Sequence, residues 1–398
     1  MWGSAAGALR LATLPPMVSS AQRRRHEQWL MQLTAIPTAA GREDRVIAWI
    51  ENWLTRRRNL TLRRDVAGNL IITRKGRRSA RPIFITAHLD HPAFVVRDVI
   101  DERTIELEFR GSVHDPYFAN AKIEIFSADD SVHRATITEL DLAAKPFRRV
   151  IARMGRASNT LVAGDIGRWA LGGWGARPTV VTGRLYAPAC DDLAGVAAAL
   201  ATMDVLRNRK GAGNVGLLLT RAEEIGFVGA VAACKKRSVP KSARLICLEN
   251  SRSYPDSPIG AGPILRVGDR LSVFSPALTN RLSELLSEHR KKYPRFKAQR
   301  KLMPGGVCEA STFSAYGYES TCVCLPLGNY HNMVDIDGVM GGSRPANVGP
   351  EFISLDDYHG MIELLIFFAA QLDGQRVGRI VDRMDDQFRA HGRLLGLK

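Results

Sequence analysis

The sequence predicts an α/β fold: a mixed sheet flanked by helices and interrupted by a small inserted β domain. Three observations carry this expectation. Short apolar runs of strand length alternate with helical patterns over most of the chain. A stretch from about 97 to 185 breaks the alternation with period-two strands and frequent glycines. Histidines and acidic residues directly follow several of the apolar runs, so the pattern can gather them at one edge of a sheet.

Residues 21 to 35 read as a basic amphipathic helix stopped near Pro37, and a second helical pattern runs to about Leu54 with Val46, Ile47 and Ile50 offered to the core. Segments 60 to 64 and 69 to 73 are strand-like around a turn at Asp65-Val66-Ala67-Gly68, and Ile83 to Thr86 is an apolar strand leading to His88. Within the insert, Thr104 to Phe109 alternates by side, while Lys122 to Phe126, Ala135 to Leu140 and Arg149 to Met154 add further strands. Glycines at 155, 164, 167, 172 and 173 punctuate a stretch too long for a structureless loop.

Beyond the insert, residues 193 to 208 form an alanine- and leucine-rich helix, Val215 to Thr220 a strand, 228 to 236 a helix, and Arg244 to Leu248 a strand ending at Glu249. Ser275-Pro276 starts a helix to about Tyr293, with the serine as cap and the proline in the first turn. Thr321 to Leu325 returns as a strand, Gly328-Asn329-Tyr330 turns it toward His331, and 355 to 370 fits a helix on the sheet. The expected organisation is a discontinuous main domain at 20 to 96 and 186 to 373, an inserted β domain at 97 to 185, and a basic helix or tail at 374 to 398. That tail packs in cis or against another subunit.

A chain of 398 residues with 45% hydrophobic content can bury a substantial core, which excludes a disordered protein. The charges leave 56 minus 40, or +16, which attracts anionic surfaces or substrates. The arginines at 23 to 25 and 56 to 58 carry no interleaved aromatic motif, so they read as solvated faces and no specific nucleic-acid partner is expected. The six cysteines lack repeated CxxC spacing and suit a reducing interior, so the cytoplasm is the expected location. No apolar stretch of about 18 residues argues for membrane insertion. Arg10 and Pro15-Pro16 interrupt the amino-terminal Ala/Leu-rich segment, against a secretory signal.

Two histidines and several separated carboxylates at strand ends suit a pair of divalent ions, with zinc, cobalt and manganese as candidates. Asp191 is the candidate bridge, since a shared carboxylate lowers the repulsion between neighbouring cations. His88 and Glu249 complete one ligand set and Glu224 and His331 the other, each leaving room for water. Glu223 is the candidate general base for water attacking an amide carbonyl, and the proton donor to the departing amine. Asp90, two residues beyond His88 on an extended segment, falls on the same side and is expected to orient that imidazole. Each feature alone has a plainer explanation. Glu223-Glu224 could be a solvated face, Asp191-Asp192 a helix cap, Glu249 a strand end in water, and either histidine a satisfied core residue.

The ordered segments TAHLDHPAFVV at 86 to 96, CDDLAGVAAAL at 190 to 200, RAEEIGFVGA at 221 to 230, LEN at 248 to 250, GAGPILRVGD at 260 to 269 and GNYHNM at 328 to 333 resemble M42 metallopeptidases. IPTAAGRED at 36 to 44 and DVAGNLI at 65 to 71 are similar as well, so the resemblance spans about 30 to 370. This glutamyl-aminopeptidase and endoglucanase-like family lies within the wider di-zinc aminopeptidase and carboxypeptidase clan. The resemblance implies a phosphorylase/hydrolase-like catalytic domain interrupted by a PDZ-like or barrel-like β domain. It also implies two divalent ions, zinc by preference, on His88, Asp191, Glu224, Glu249 and His331, with Asp90 supporting, Glu223 as base, and a homo-oligomer. Two positions depart from the family pattern. Glu249 stands where M42 aminopeptidases usually carry Asp, as in carboxypeptidases and dipeptidases of the clan, and GGVCEAS at 305 to 311 replaces a GGTDA-like stretch.

The expected activity is therefore a metal-dependent aminopeptidase acting on short peptides. Glu249 keeps open a carboxypeptidase or N-acyl-amino-acid deacylase, with an acylated amino acid as substrate. A non-enzymatic oligomeric scaffold retaining an old hydrolase fold is the third reading. Glu309 is a candidate contact for a substrate amino group and Arg266 for a substrate carboxylate.

Overall fold

A computed structural model describes residues 17–75, 81–172, 177–209, 214–374 and 380–397. The interrupted amino-terminal segment through residue 16 lies outside them, as do Gly173 and the start of the expected tail at 375–379.

The chain lays down β1 (Leu60–Arg64), β2 (Leu70–Arg74) and β3 (Ile83–His88), then leaves the sheet for a closed barrel. The barrel consists of β4 (Ala93–Asp101), β5 (Thr104–Arg110), β6 (Lys122–Phe126), β7 (Val132–Asp141), β8 (Arg148–Met154) and β9 (Ile166–Trp169). Next, β10 (Thr179–Val181) and β11 (Arg184–Ala187) lead back. The large sheet is completed by β12 (Val215–Thr220), β13 (Arg244–Arg252), β14 (Ile264–Gly268), β15 (Gln299–Leu302) and β16 (Glu319–Leu327). A short pair, β17 (Met333–Val334) and β18 (Asn347–Val348), precedes β19 (Glu351–Ser354), which pairs with β11. The eight-stranded order is β1-β2-β12-β3-β13-β16-β14-β15, and the sheet is mixed. Its four central strands, β12, β3, β13 and β16, run parallel.

Those central strands are buried on both faces, which is why they read as nearly continuous apolar runs. Ile83 and Ile85 point into one core, Phe84 into the other. The first core receives α1 (Ser20–Leu33), α2 (Asp44–Thr55) and α3 (Leu193–Leu206); α4 (Val228–Lys235) packs on the opposite face. In chain order follow α5 (Pro276–Lys292), α6 (Glu309–Ala315), α7 (Ile336–Met340), α8 (Leu355–Gln371) and α9 (Ile380–His391). Every residue of α3 is buried, as expected for a helix apolar all round between a sheet and the helices α1 and α8.

The barrel has its own core. Phe94, Phe109, Phe118 and Trp169 meet with ring centroids 4.8 to 6.2 Å apart, mostly edge to face, the arrangement favoured by ring quadrupoles. Met333, Ile336 and Val339, from the segment after His331, are buried in that same core. Tyr117 Oη donates to the Val334 carbonyl at 2.7 Å, tying the barrel to the returning chain.

Several local expectations change. The barrel's first strand begins at Ala93, ahead of the expected insertion point at 97, because Phe94 and Val96 alternate into the barrel core. Pro276 occupies the first turn of α5, but the Ser275 side chain makes no capping bond. The tail from 374 contains α9, whose residues are all exposed or half-buried.

Candidate metal centre

The parallel strands bring the predicted residues to one edge. Thr220 stands opposite His88 in the β12–β3 register, so the loop after β12 sets Glu223 and Glu224 beside the end of β3. The β3–β13 ladder stops at Thr86 and Cys247, short of His88 and Glu249. Past that point β13 follows β16 alone, and a crevice opens outside the carboxyl ends of the strands. Asp191 enters from the turn before α3, and His331 from the turn after β16.

Asp191 lies between the two imidazoles. Its Oδ1 is 3.3 Å from His88 Nε2 and its Oδ2 is 3.4 Å from His331 Nε2, while Glu224 Oε1 is 3.3 Å from the same His331 nitrogen. Ligand atoms of His88, Asp191 and Glu249 lie within 4.8 Å of one another, and so do those of Asp191, Glu224 and His331. The geometry thus groups the residues into the two sets anticipated from the sequence, sharing Asp191. A third grouping joins His88, Glu223 and Glu224.

The residues fit divalent cations on electrostatic grounds. Glu249 Oε2 is buried without a hydrogen-bond partner, a costly state for an anionic oxygen. Burial pushes the Glu249 carboxyl well above its ordinary range, and Asp191 and Glu223 push it further. Burial also raises Glu223, with repulsion from Glu224 and Asp90 only partly countered by His88. Burial would lower the His88 imidazole, yet Glu223, Asp191 and Asp90 overcome it and hold the ring well above its usual value. His331 behaves likewise beside Glu224 and Asp191. Carboxylates here outnumber what two imidazolium rings can neutralise, and a nitrogen and oxygen donor set suits zinc, manganese or cobalt.

A ring of carboxylates holds the ligand-bearing loops by their backbones. Asp90 Oδ1 accepts the Glu223 N–H at 3.0 Å and Oδ2 the Glu224 N–H at 3.1 Å. His88 Nδ1 is closer to the Asp90 carbonyl, at 3.1 Å, than to its carboxylate, at 3.5 Å. Asp90 therefore steadies the imidazole largely through its main chain and the glutamate loop through its side chain. Asp192 does not cap α3; it accepts the His88 N–H at 3.3 Å and the Asn250 amide at 2.7 Å. This position depends on Gly195, where a Cβ would stand 2.3 Å from Asp192 Oδ1.

Glu351 accepts the N–H groups of Cys190 at 2.7 Å and Asp191 at 3.0 Å on one oxygen, and that of His331 at 2.8 Å on the other. Glu43 accepts the Ala222 N–H at 3.0 Å. Ala222, His331 and Asn332 adopt left-handed backbone with φ of 54°, 54° and 64°, strain of order 1 kcal/mol or more each that surrounding bonds must sustain. Sequence reasoning missed Glu43, His91, Asn250 and Glu351. His91, whose Nε2 lies 3.1 Å from Asn332 Oδ1, and Glu43 stood inside recognised segments, whereas Glu351 carried no signal.

The crevice is a cleft of about 400 Å³ lined by Glu223, Glu224, Glu249, His331 and Arg266, among others. Arg266, the sequence candidate for a substrate carboxylate, lines this cleft. Glu309 does not line the cleft; it is buried at the start of α6, where burial raises its carboxyl to about 7.

The fold and site define a class: an α/β sheet with two groups of side chains that could hold metal ions at its carboxyl edge and a barrel inserted beside them. The profile of the M42 glutamyl aminopeptidase family matches residues 174–341, which carry Asp191, Glu223, Glu224, Glu249 and His331. In this segment and in its fold the chain is M42-like. An aminopeptidase from the archaeon Desulfurococcus kamchatkensis is 20% identical, with 90% of this chain and 99% of that chain covered and a TM-score of 0.68. A Pyrococcus horikoshii TET peptidase, able to assemble into a tetrahedron or a large octahedral shell, is 17% identical, with 87% and 99% covered and a TM-score of 0.68. A Thermotoga maritima protein described as an endoglucanase is 17% identical, with 86% and 96% covered and a TM-score of 0.61. No curated protein matches the chain.

Proposed function

We propose that this chain is a di-metal aminopeptidase that trims short peptides from their amino end. The observation that carries the reading is Asp191 set between two imidazoles with one oxygen toward each. His88 and Glu249 would hold one divalent ion and Glu224 and His331 the other, with Asp191 shared and zinc the first candidate. When bound, such ions polarise an amide carbonyl and acidify water.

The chain's own groups supply the rest. The Glu223 carboxylate takes the proton from the attacking water and returns it to the departing amine nitrogen. Asp90 fixes that carboxylate's loop through the Glu223 and Glu224 N–H groups, which limits its drift from the reacting atoms. The three glutamates in the cleft lining, Glu223, Glu224 and Glu249, favour a free, cationic amino terminus. Six buried free cysteines suit a reducing compartment, hence the cytoplasm, and the assemblies of the TET relative support a homo-oligomer. Among the described residues no helix is long and apolar enough to cross a membrane.

The test compares peptides with free and acetylated amino ends after metal removal and after restoration with zinc, cobalt or manganese. Two ions per chain and hydrolysis only of the free amino form are expected. Activity confined to acetylated substrates would replace this reading with carboxypeptidase or deacylase chemistry.

A further inference from the structure

Resting on the peptidase reading, we propose that Arg266, with Arg270 in the same cleft lining, receives the free main-chain carboxylate of a di- or tripeptide. The cleft lining carries both signs of charge, Glu223, Glu224 and Glu249 together with Arg266 and Arg270, and Ser251 among them. Arg266 is only 1% exposed and donates from Nη1 to Ser251 Oγ at 3.0 Å, while its Nε and Nη2 have no hydrogen-bond partner.

The nearest carboxylate, Asp269 at 3.9 Å, is already engaged. Its Oδ1 accepts the Leu271 and Ser272 N–H groups and the Ser311 hydroxyl, and its Oδ2 accepts the Cys308 N–H. A guanidinium withdrawn from water with N–H groups unmet is costly, and a planar carboxylate matches its fork. Arg270 forms no ion pair among the described residues, whereas Arg252 nearby is paired with Asp337.

Spacing sets the substrate's length. Glu249 and Ser251 alternate on β13, so they share a face about 7 Å apart along the strand. An extended peptide advances about 3.3 to 3.6 Å per residue. A carboxylate held at Ser251 and Arg266 therefore lies one to two residues past an amide carbonyl beside Glu249. A cleft of about 400 Å³ sits near the small end of ligand sites, as a short zwitterion requires.

The test uses the metal-loaded full-length protein with Leu-Ala and Leu-Ala-Ala, their carboxyl-terminal amides, and amides in which glutamate replaces one residue. Amidation is expected to lower kcat/KM about tenfold or more, chiefly through KM. In Arg266→Gln the free-to-amide ratio should collapse toward one with metal content unchanged. Arg270→Gln, a variant on the cleft wall, should reduce the same ratio and keeps the test open if Arg266→Gln fails to fold. Equal wild-type rates on free and amidated peptides would overturn the proposal while leaving the peptidase reading standing. Recovery of the lost rate by a glutamate side chain would also overturn it, by giving the guanidinium to a different carboxylate. Hydrolysis of none of these peptides would remove both readings.

Discussion

The two ends of α3 treat a buried aspartate in opposite ways. Near its carboxyl end, Asp204 meets Arg25 at 2.7 Å, Arg57 and Arg207 at 3.2 Å, and His26 at 3.6 Å. Just before its amino end, about 20 Å away along the helix, Asp191 faces two imidazoles amid Glu223, Glu224 and Glu249. Both carboxyls are held below their ordinary value, Asp204 by His26 and the arginines and Asp191 by His331 and His88, in each case against burial. At Asp204 the chain supplies its own permanent cations. At Asp191 it assembles anions beyond its own means of neutralising them, the mark of charge to be met from outside.

Asp191→Ala gives the largest test of that contrast. It should empty both ligand sets, taking bound metal from two ions per chain toward none and abolishing hydrolysis; full occupancy by elemental analysis would break the comparison. Glu223→Gln should keep the metals yet lower kcat by about 100-fold or more, since an amide cannot accept the proton. Near-normal turnover would remove Glu223 from the base role. Asp204→Ala sharpens the other side: it should cost about 3 kcal/mol in urea unfolding, leaving Arg57 buried without its partner, while metal content stays the same.

The sign of the pH effect follows from Asp204. Its folded carboxyl titrates below the ordinary 3.8, so its stabilisation is complete above that value and fades as pH falls through the depressed one. The Asp204→Ala deficit should therefore shrink in acid, and a deficit unchanged down to pH about 2 would contradict the ion-pair account.

Much of this was legible in the sequence. The central strands announced themselves because burial on both faces leaves an unbroken apolar run, and the candidate ligands His88, Glu224 and His331 followed because each stands at or shortly past the end of such a strand. The plainer explanation of Asp192 as a helix cap fails because the His88 and Asn250 donors take its carboxylate instead. Glu351 was invisible, since its three N–H partners come from positions about 160 and 20 residues away, a convergence that only the fold creates. Glu309 looked like a cleft residue by its neighbourhood in sequence, but it is buried at the start of α6 and is absent from the cleft lining.

The chain that leaves His331 runs straight into the barrel, sinking Met333, Ile336 and Val339 there, and the ring's Nδ1 rests 2.6 Å from the Ser112 carbonyl at the barrel's rim. The insert is consequently part of the tooling that sets one imidazole to its angle. Lengthening the barrel's outer loops would leave that angle alone, whereas a change at the rim around Ser112, or a chain trimmed of the barrel, would free the histidine from its jig.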